Sequence, residues 1–162
     1  MSKEKNSRPL QESEYVALAE FRYQLRKFLR RMEEEVRHFG INPQQYQLVL
    51  AIKGLPKSQM PTITSLAERM QLNHNSMVEL VDRCEERNML RRQRSSSDRR
   101  QVTLALTPEG EGLLRKLGSA ARQELRSIGP MLVESVHRLT EEKAVSTTDN
   151  KTRKAVIKKA GS

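Results

Sequence analysis

Residues 66–110 decide the fold, and their sequence is LAERMQLNHNSMVELVDRCEERNMLRRQRSSSDRRQVTLALTPEG. The spacing of apolar residues predicts a short helix over residues 63–70. Only three residues later, Asn73 is the expected N-cap of a longer helix over residues 74–88. Two helices joined by so short a turn are typical of a helix-turn-helix.

The residues that follow, 90–107, predict a β-hairpin. Apolar residues alternate with smaller or polar ones between Val102 and Leu106, as in a strand with one buried face. The partner strand is expected at Leu90–Arg94, with a polar tip between the two.

Long amphipathic helices are predicted on both sides of this unit. Apolar side chains recur at three- and four-residue steps over residues 13–40, and a second helix is expected from Pro43. After the hairpin, residues 108–139 are predicted to be helical, with a break or kink at Pro130 and a sixth helix beyond it. One small lobe cannot cover the apolar stripes of both long helices, which predicts a partner surface unless the two helices pack only on each other.

Length and composition favour one helical domain with extensions. The chain has 162 residues, no tryptophan and 4% aromatic residues, so its core must be mostly aliphatic. We expect a flexible arm over residues 1–12, a folded domain over 13–139 and a basic, poorly ordered tail over 140–162. Within the domain, residues 43–107 are expected to form one lobe, which contains the helix-turn-helix and the hairpin.

Several protein classes are disfavoured by the residues present. The lone Cys84 cannot form an internal disulfide, and its place on an apolar helix face predicts a buried thiol. The longest aliphatic run, residues 48–52, is too short to cross a bilayer, so we expect a soluble, cytoplasmic protein without a membrane partner. No nucleophile–base pair, metal-ligand cluster or phosphate loop is recognisable, so neither an enzyme, a metal nor a cofactor is expected.

The net charge of +10 is carried by two short segments. Residues 87–100 and residues 143–162 each contain six basic residues and one acid, whereas the rest of the chain is neutral. Clustered positive charge predicts a polyanionic partner, which is nucleic acid or, less often, an anionic membrane.

A helix-turn-helix and hairpin between long helices resemble the MarR family of bacterial transcription regulators. Asp98, Arg100, Leu106 and Thr107 match the family's hairpin signature, Asp-x-Arg followed six residues on by Leu-Thr. The resemblance covers residues 13–139. It implies a mainly α fold, a winged helix-turn-helix with a β-hairpin wing, flanked by long dimerisation helices at 13–40 and 108–139.

The resemblance also implies a homodimer that binds a pseudo-palindromic operator in double-stranded DNA, with half-sites about 34–36 Å apart. Such a protein is a repressor or activator with a small aromatic or anionic effector bound between the dimer helices and the DNA lobe. Tyr15, Tyr23 and Tyr46 either line that pocket or are ordinary core and surface residues. Unlike the family's leucine-rich last helix, residues 141–162 are polar and basic.

By the same resemblance, the first turn of the longer helix enters the major groove. Asn75 and Ser76 are the expected base contacts, and His74 is expected at a base or a phosphate. Asn73 either binds a phosphate or only caps the helix.

The later turns of this helix carry a net charge of −3, because Arg83 stands against four acidic residues. Phosphates repel such a surface, so the wing has to supply the attraction. Arg83 is itself a candidate DNA contact, and Glu79 either accepts from a cytosine or pairs with an arginine.

The wing holds the remaining candidate contacts. Arg94, Arg99 and Arg100 are expected at phosphates or in the minor groove, and Asp98 is expected to orient a neighbouring arginine. Arg92 either flanks the DNA backbone or lies on an ordinary solvated strand edge. The wing's candidate DNA-binding residues are Arg92, Arg94, Ser97, Asp98, Arg99 and Arg100.

Two other DNA- or charge-based functions compete with this one. A nonspecific architectural protein without an effector would bind an operator and random duplex equally well. A tail that separately binds RNA or a membrane is a minor alternative, and its weak amphipathicity argues against the membrane.

Overall fold

The computed structural model describes residues 9–94 and 102–140. In chain order the elements are α1 (Glu12–His38), α2 (Pro43–Lys53), α3 (Ile63–Met70), α4 (His74–Glu86), β1 (Leu90–Arg94), β2 (Val102–Leu106) and α5 (Pro108–Thr140). The predicted mainly α winged helix-turn-helix, with long helices on both sides, is confirmed. The expectations for residues 1–8 and 141–162 concern parts of the chain outside the described residues.

The helix ends follow the local chemistry that the sequence predicts. The Asn42 side chain accepts from the Gln44 amide at 2.8 Å, and the Asn73 side chain accepts from the Ser76 amide at 2.8 Å. Each side chain therefore satisfies a main-chain donor that lacks a partner within its helix. Gly40 has a φ of 67°, as expected of the residue after a helix end.

The core of the lobe joins α2, α3, α4 and the hairpin to the first turns of α5. The strands pair antiparallel, with Leu90 opposite Leu106 and Arg92 opposite Leu104. The Leu104 amide also donates to the Pro61 carbonyl at 2.8 Å, so the hairpin is tied to the connector before α3. The largest fully buried side chains of this core are Leu48, Leu66, Met77, Leu80, Leu90, Leu104 and, from α5, Leu117.

The start of α5 is pressed against the end of the helix-turn-helix. Thr107 accepts from the Gly110 amide at 3.1 Å, and its hydroxyl donates to the Asn88 carbonyl. A Cβ on Gly110 would lie 2.0 Å from the Met89 carbonyl oxygen. Glycine is therefore the residue that permits this close approach of two backbone segments.

Helix α5 runs through Pro130 without interruption and packs along α1. The prediction that a separate sixth helix begins there is wrong. Proline removes one main-chain hydrogen bond, but α5 has buried residues on both sides of it, Ile128 and Ser135. Packing of this kind outweighs the local cost because helices in proteins are stabilised mostly by their buried faces.

Cys84 is fully buried in the lobe core. Burial raises the pKa of its thiol to about 12, although the charges of Arg83 and Arg87 act in the opposite direction. The predicted buried thiol is therefore present.

We expect native Cys84 to be unreactive toward a disulfide reagent near pH 8, because the thiolate is the reactive species and the folded chain scarcely forms it. One thiol per chain should react after unfolding in denaturant. Absorbance of the released thiolate measures both states. Equal rates before and after unfolding would contradict the buried position.

Candidate nucleic-acid interface

Helix α4 has one face in the core and one face in solvent. Met77, Leu80, Val81 and Cys84 are buried, and this fixes the rotation of the helix on the lobe. The opposite face is exposed and polar, as the sequence predicts. Its exposed residues are Asn75, Glu79, Asp82, Arg83 and Glu86.

The four candidates in the first turn of α4 lie together at its N-terminus. Asn73, His74 and Asn75 are exposed, and Ser76 is half-buried. The side-chain oxygen of Asn73 is already occupied by its capping bond. Among the described residues, the side chains of His74 and Asn75 make no hydrogen bond, so their polar atoms are free to bind a ligand.

Arg83 and Arg87 project from the later part of the helix-turn-helix in different environments. The Arg87 guanidinium donates to the Gly40 carbonyl and so links α4 to the end of α1. The Arg83 side chain is exposed and has no ion pair within residues 9–94 and 102–140. Its carbonyl accepts from the buried Gln45 at 3.1 Å, which holds α4 against α2.

Arg92 lies on the inner side of the wing and is bound to two carboxylates of α4. Its guanidinium donates to Asp82 at 2.6 Å and also to Glu85. Partial burial alone would lower the pKa of Arg92, but Asp82 and Glu85 outweigh it and the pKa is raised. Sequence reasoning missed this arrangement, although Asp82 and Glu85 are three residues apart and therefore share a helix face.

Arg94 lies at the end of β1, next to the tip of the wing, and its side chain is exposed. It has no ion pair with another described residue. Ser97, Asp98, Arg99 and Arg100 fall outside the described residues, and their expected roles remain predictions. Of the hairpin signature, Leu106 and Thr107 are described, and Thr107 caps α5.

The acidic flank of α4 is partly neutralised by this geometry. Two of its four carboxylates, Asp82 and Glu85, are paired with Arg92. Glu79 and Glu86 have no ion pair in the described part of the chain, so the arginine partner considered for Glu79 is not found there.

Residues 39–101, which include both helices of the helix-turn-helix, match the family model described as "MarR family". The resemblance to the MarR family is confirmed.

Two proteins represent those to which this chain is similar. The HTH-type transcriptional repressor MdtR of Bacillus subtilis is 30% identical over 80 residues, which are 49% of this chain and 50% of MdtR. The aligned segment thus spans half the length of that relative. The crystal structure of MepR, a transcription regulator of the Staphylococcus aureus multidrug efflux pump MepA, superposes on this chain with a TM-score of 0.61. The two sequences are 18% identical.

The fold match to MepR extends over nearly the whole chain. It covers 90% of this chain and 95% of MepR, so it includes the long flanking helices as well as the lobe. A crystal structure of an S. aureus MepR–DNA complex matches at 16% identity and a TM-score of 0.56, over 86% of this chain and 92% of that one. MarR-family members are transcription regulators and not enzymes, which agrees with the prediction from the sequence.

The tyrosines considered for an effector pocket are spread over the MarR-type fold. Tyr46 is buried in the lobe core, where burial raises the pKa of its hydroxyl. Tyr15 and Tyr23 are exposed on α1. Tyr23 borders an open groove of about 830 Å³ that is also lined by Arg26, Lys27 and Leu29.

No helix within residues 9–94 and 102–140 is long and apolar enough to span a membrane. The same residues contain no group of three or more histidine, cysteine or acidic side chains placed to hold a metal ion.

Proposed function

We propose that this chain is a sequence-specific double-stranded-DNA-binding transcription regulator that acts as a homodimer on a pseudo-palindromic operator. The observation that carries the proposal is the exposed polar first turn of α4, held in place by a buried opposite face and flanked by a basic wing. A helix terminus presented in this way fits the major groove, where amide and hydroxyl side chains distinguish bases. The existence of a DNA complex of MepR, which has the same fold, supports this function.

Base contacts are assigned to the first turn of α4, and phosphate contacts are assigned to that turn and to the wing. Asn75 and Ser76 are proposed to read bases, with Asn73 and His74 at phosphates beside them. Arg83, Arg94 and the wing residues Ser97, Asp98, Arg99 and Arg100 complete the proposed interface. Arg94 and its neighbours supply attraction, whereas the α4 turn supplies specificity.

The homodimer is supported by apolar surface that the chain itself leaves uncovered. Helices α1 and α5 pack on each other, yet Leu18, Leu25 and Leu29 on α1 are between 38% and 43% exposed. On α5, Leu125 is 44% exposed and Val136 is 42% exposed. Packing within one chain therefore accounts for only one side of each helix, and a second copy can cover the other.

A repressor role, a cytoplasmic location and an effector are further parts of the proposal. MdtR is named as a repressor, and a small aromatic or anionic effector suits the groove beside Tyr23, Arg26 and Lys27, which offers a ring and two cations. Loss of operator binding on adding such a compound would support this part.

Selection of bound fragments from a genomic DNA pool tests the function directly. The selected sequence should show two inverted half-sites, and its affinity should exceed that of random duplex by at least about a thousandfold at physiological salt. Equal affinity for both would overturn the regulator and favour a nonspecific architectural DNA-binding protein.

Substitutions in the two elements should separate attraction from specificity. Arg94→Ala is expected to weaken binding to selected and random duplexes alike and to reduce the salt slope of log K by about 1, because one phosphate contact is lost. Asn75→Ala should weaken the selected site by about 1–3 kcal/mol and leave random duplex nearly unchanged. Fluorescence anisotropy with labelled duplexes measures both.

Arg122→Ala is the control for lost charge, because it removes an exposed arginine from α5 instead of from the wing. Its affinity should match that of the unaltered chain. If Arg94→Ala behaved in the same way, the wing would lose its proposed role.

A further inference from the structure

The Arg92 side chain joins the wing to the helix that carries the proposed base contacts. The Arg92 main-chain amide donates to Glu85 Oε1 at 2.9 Å, and its guanidinium donates to Glu85 Oε2 and to Asp82 Oδ1. Its side chain is only 30% exposed. Three hydrogen bonds, two of them from the guanidinium, fix both the position and the orientation of this residue.

The surrounding structure makes this contact a connection between two otherwise separate surfaces. Arg92 pairs with Leu104 in the hairpin, and Leu104 is 1% exposed. Two residues beyond Arg92, the exposed Arg94 ends β1. On the other side of the contact, Asp82 lies two helical turns from Asn75, so α4 transmits the position of the pair to its N-terminal turn.

The contact also changes the charge that α4 presents. Without Arg92, four carboxylates would stand against Arg83 on a helix that must approach phosphates. With Arg92 bound, its positive charge offsets one of these two negative charges, and both Glu85 oxygens and Asp82 Oδ1 accept hydrogen bonds. The two carboxylates together outweigh the single positive charge of Arg92, so the three side chains as a group do not attract a phosphate.

We propose that Arg92 is a positioning residue of the DNA interface, which holds the wing on α4 through Asp82 and Glu85 and partly neutralises them, and that it is not itself a phosphate contact. This inference rests on the proposed DNA-binding function and refines the same interface. It assigns acidic residues a supporting role in binding a polyanion, which charge alone would not predict.

The first test compares two neighbouring acids of α4. Glu85→Gln and Glu86→Gln remove the same charge from adjacent positions, but only Glu85 holds Arg92. With a labelled duplex of random sequence as the probe, Glu85→Gln is expected to weaken binding by roughly tenfold, because a coupled contact is lost. Glu86→Gln should leave affinity unchanged or improve it, because a repulsive charge is removed.

The second test asks whether Arg92 acts through the carboxylates. Arg92→Gln should weaken binding in the unaltered chain and have no further effect in the chain that already carries Asp82→Asn and Glu85→Gln. A direct phosphate contact by Arg92 would instead make Arg92→Gln weaken binding equally in both backgrounds. Arg92→Lys should restore only part of the affinity, because lysine cannot donate to both acids in a fixed geometry.

Affinity is measured at a temperature where circular dichroism shows every variant to be folded. If Arg92 only stabilised the fold, its substitution would then leave the affinity for DNA unchanged. Additive effects, or equal behaviour of Glu85→Gln and Glu86→Gln, would each overturn the inference. Failure of the unaltered chain to bind any duplex would instead overturn the proposed function on which it rests.

Discussion

Gly110→Ala is expected to reduce the free energy of unfolding by about 3 kcal/mol, because the new methyl group would overlap main-chain atoms. A Cβ at this position would lie 2.0 Å from the Met89 carbonyl oxygen and 3.0 Å from the carbonyl carbon. Neither atom can move alone, since Met89 lies between α4 and β1 and its carbonyl accepts from the Thr107 amide at 3.2 Å. Urea unfolding followed by circular dichroism measures the loss.

Gly118→Ala is the matched control in the same helix. A Cβ at Gly118 would meet no atom within 4 Å, so the substitution should stabilise the chain by about 0.5–1 kcal/mol through the higher helix propensity of alanine. The opposite signs of the two effects separate the close approach from helix propensity. Equal stabilisation by both substitutions would show that α5 does not start against Met89.

The elements that could be predicted from sequence are those with local causes. Asn42 and Asn73 cap their helices because a short side-chain oxygen can reach an amide two or three residues on. Gly40 adopts positive φ for an equally local reason. The strand at Val102–Leu106 was also predicted, but its expected buried face was not found, because Val102 is 44% exposed and Thr103 is buried.

The features that could not be predicted depend on what lies across the fold. Helix α5 continues through Pro130 because it packs along α1, and nothing in the local sequence encodes that support. Asn88 was expected to end the fourth helix, but it adopts a φ of 54° after a helix that ends at Glu86. Such left-handed residues are difficult to place without knowing that β1 must turn back against α4.

The candidate site shows the same division. The exposure of Asn75 at the start of α4 could be predicted, because helical periodicity alone places it opposite the buried face. The partners of Arg92 could not, because they require the angle between the hairpin and α4. The charge count indicated that α4 is acidic and that the wing has to supply positive charge. Arg92 supplies part of that charge by binding Asp82 and Glu85.

The other large effect is expected at the uncovered apolar side of α5. Leu125→Glu should convert the proposed homodimer to a monomer, because a charged side chain would be buried between two apolar helices. The substitution occurs twice across a two-fold interface, so a cost of about 2 kcal/mol per copy weakens the dimer by about 4 kcal/mol, or roughly a thousandfold in Kd. Sedimentation equilibrium measures the change, and affinity for the selected operator should fall with it.

Leu50→Glu is the control, because Leu50 is 43% exposed and Leu125 is 44% exposed, but Leu50 lies on α2 in the lobe. It should leave the mass of the assembly unchanged. If Leu125→Glu also remained dimeric, the second copy would have to bind elsewhere. If the unaltered chain were monomeric at every concentration, α1 and α5 would pack only on each other, and their exposed leucines would need another explanation.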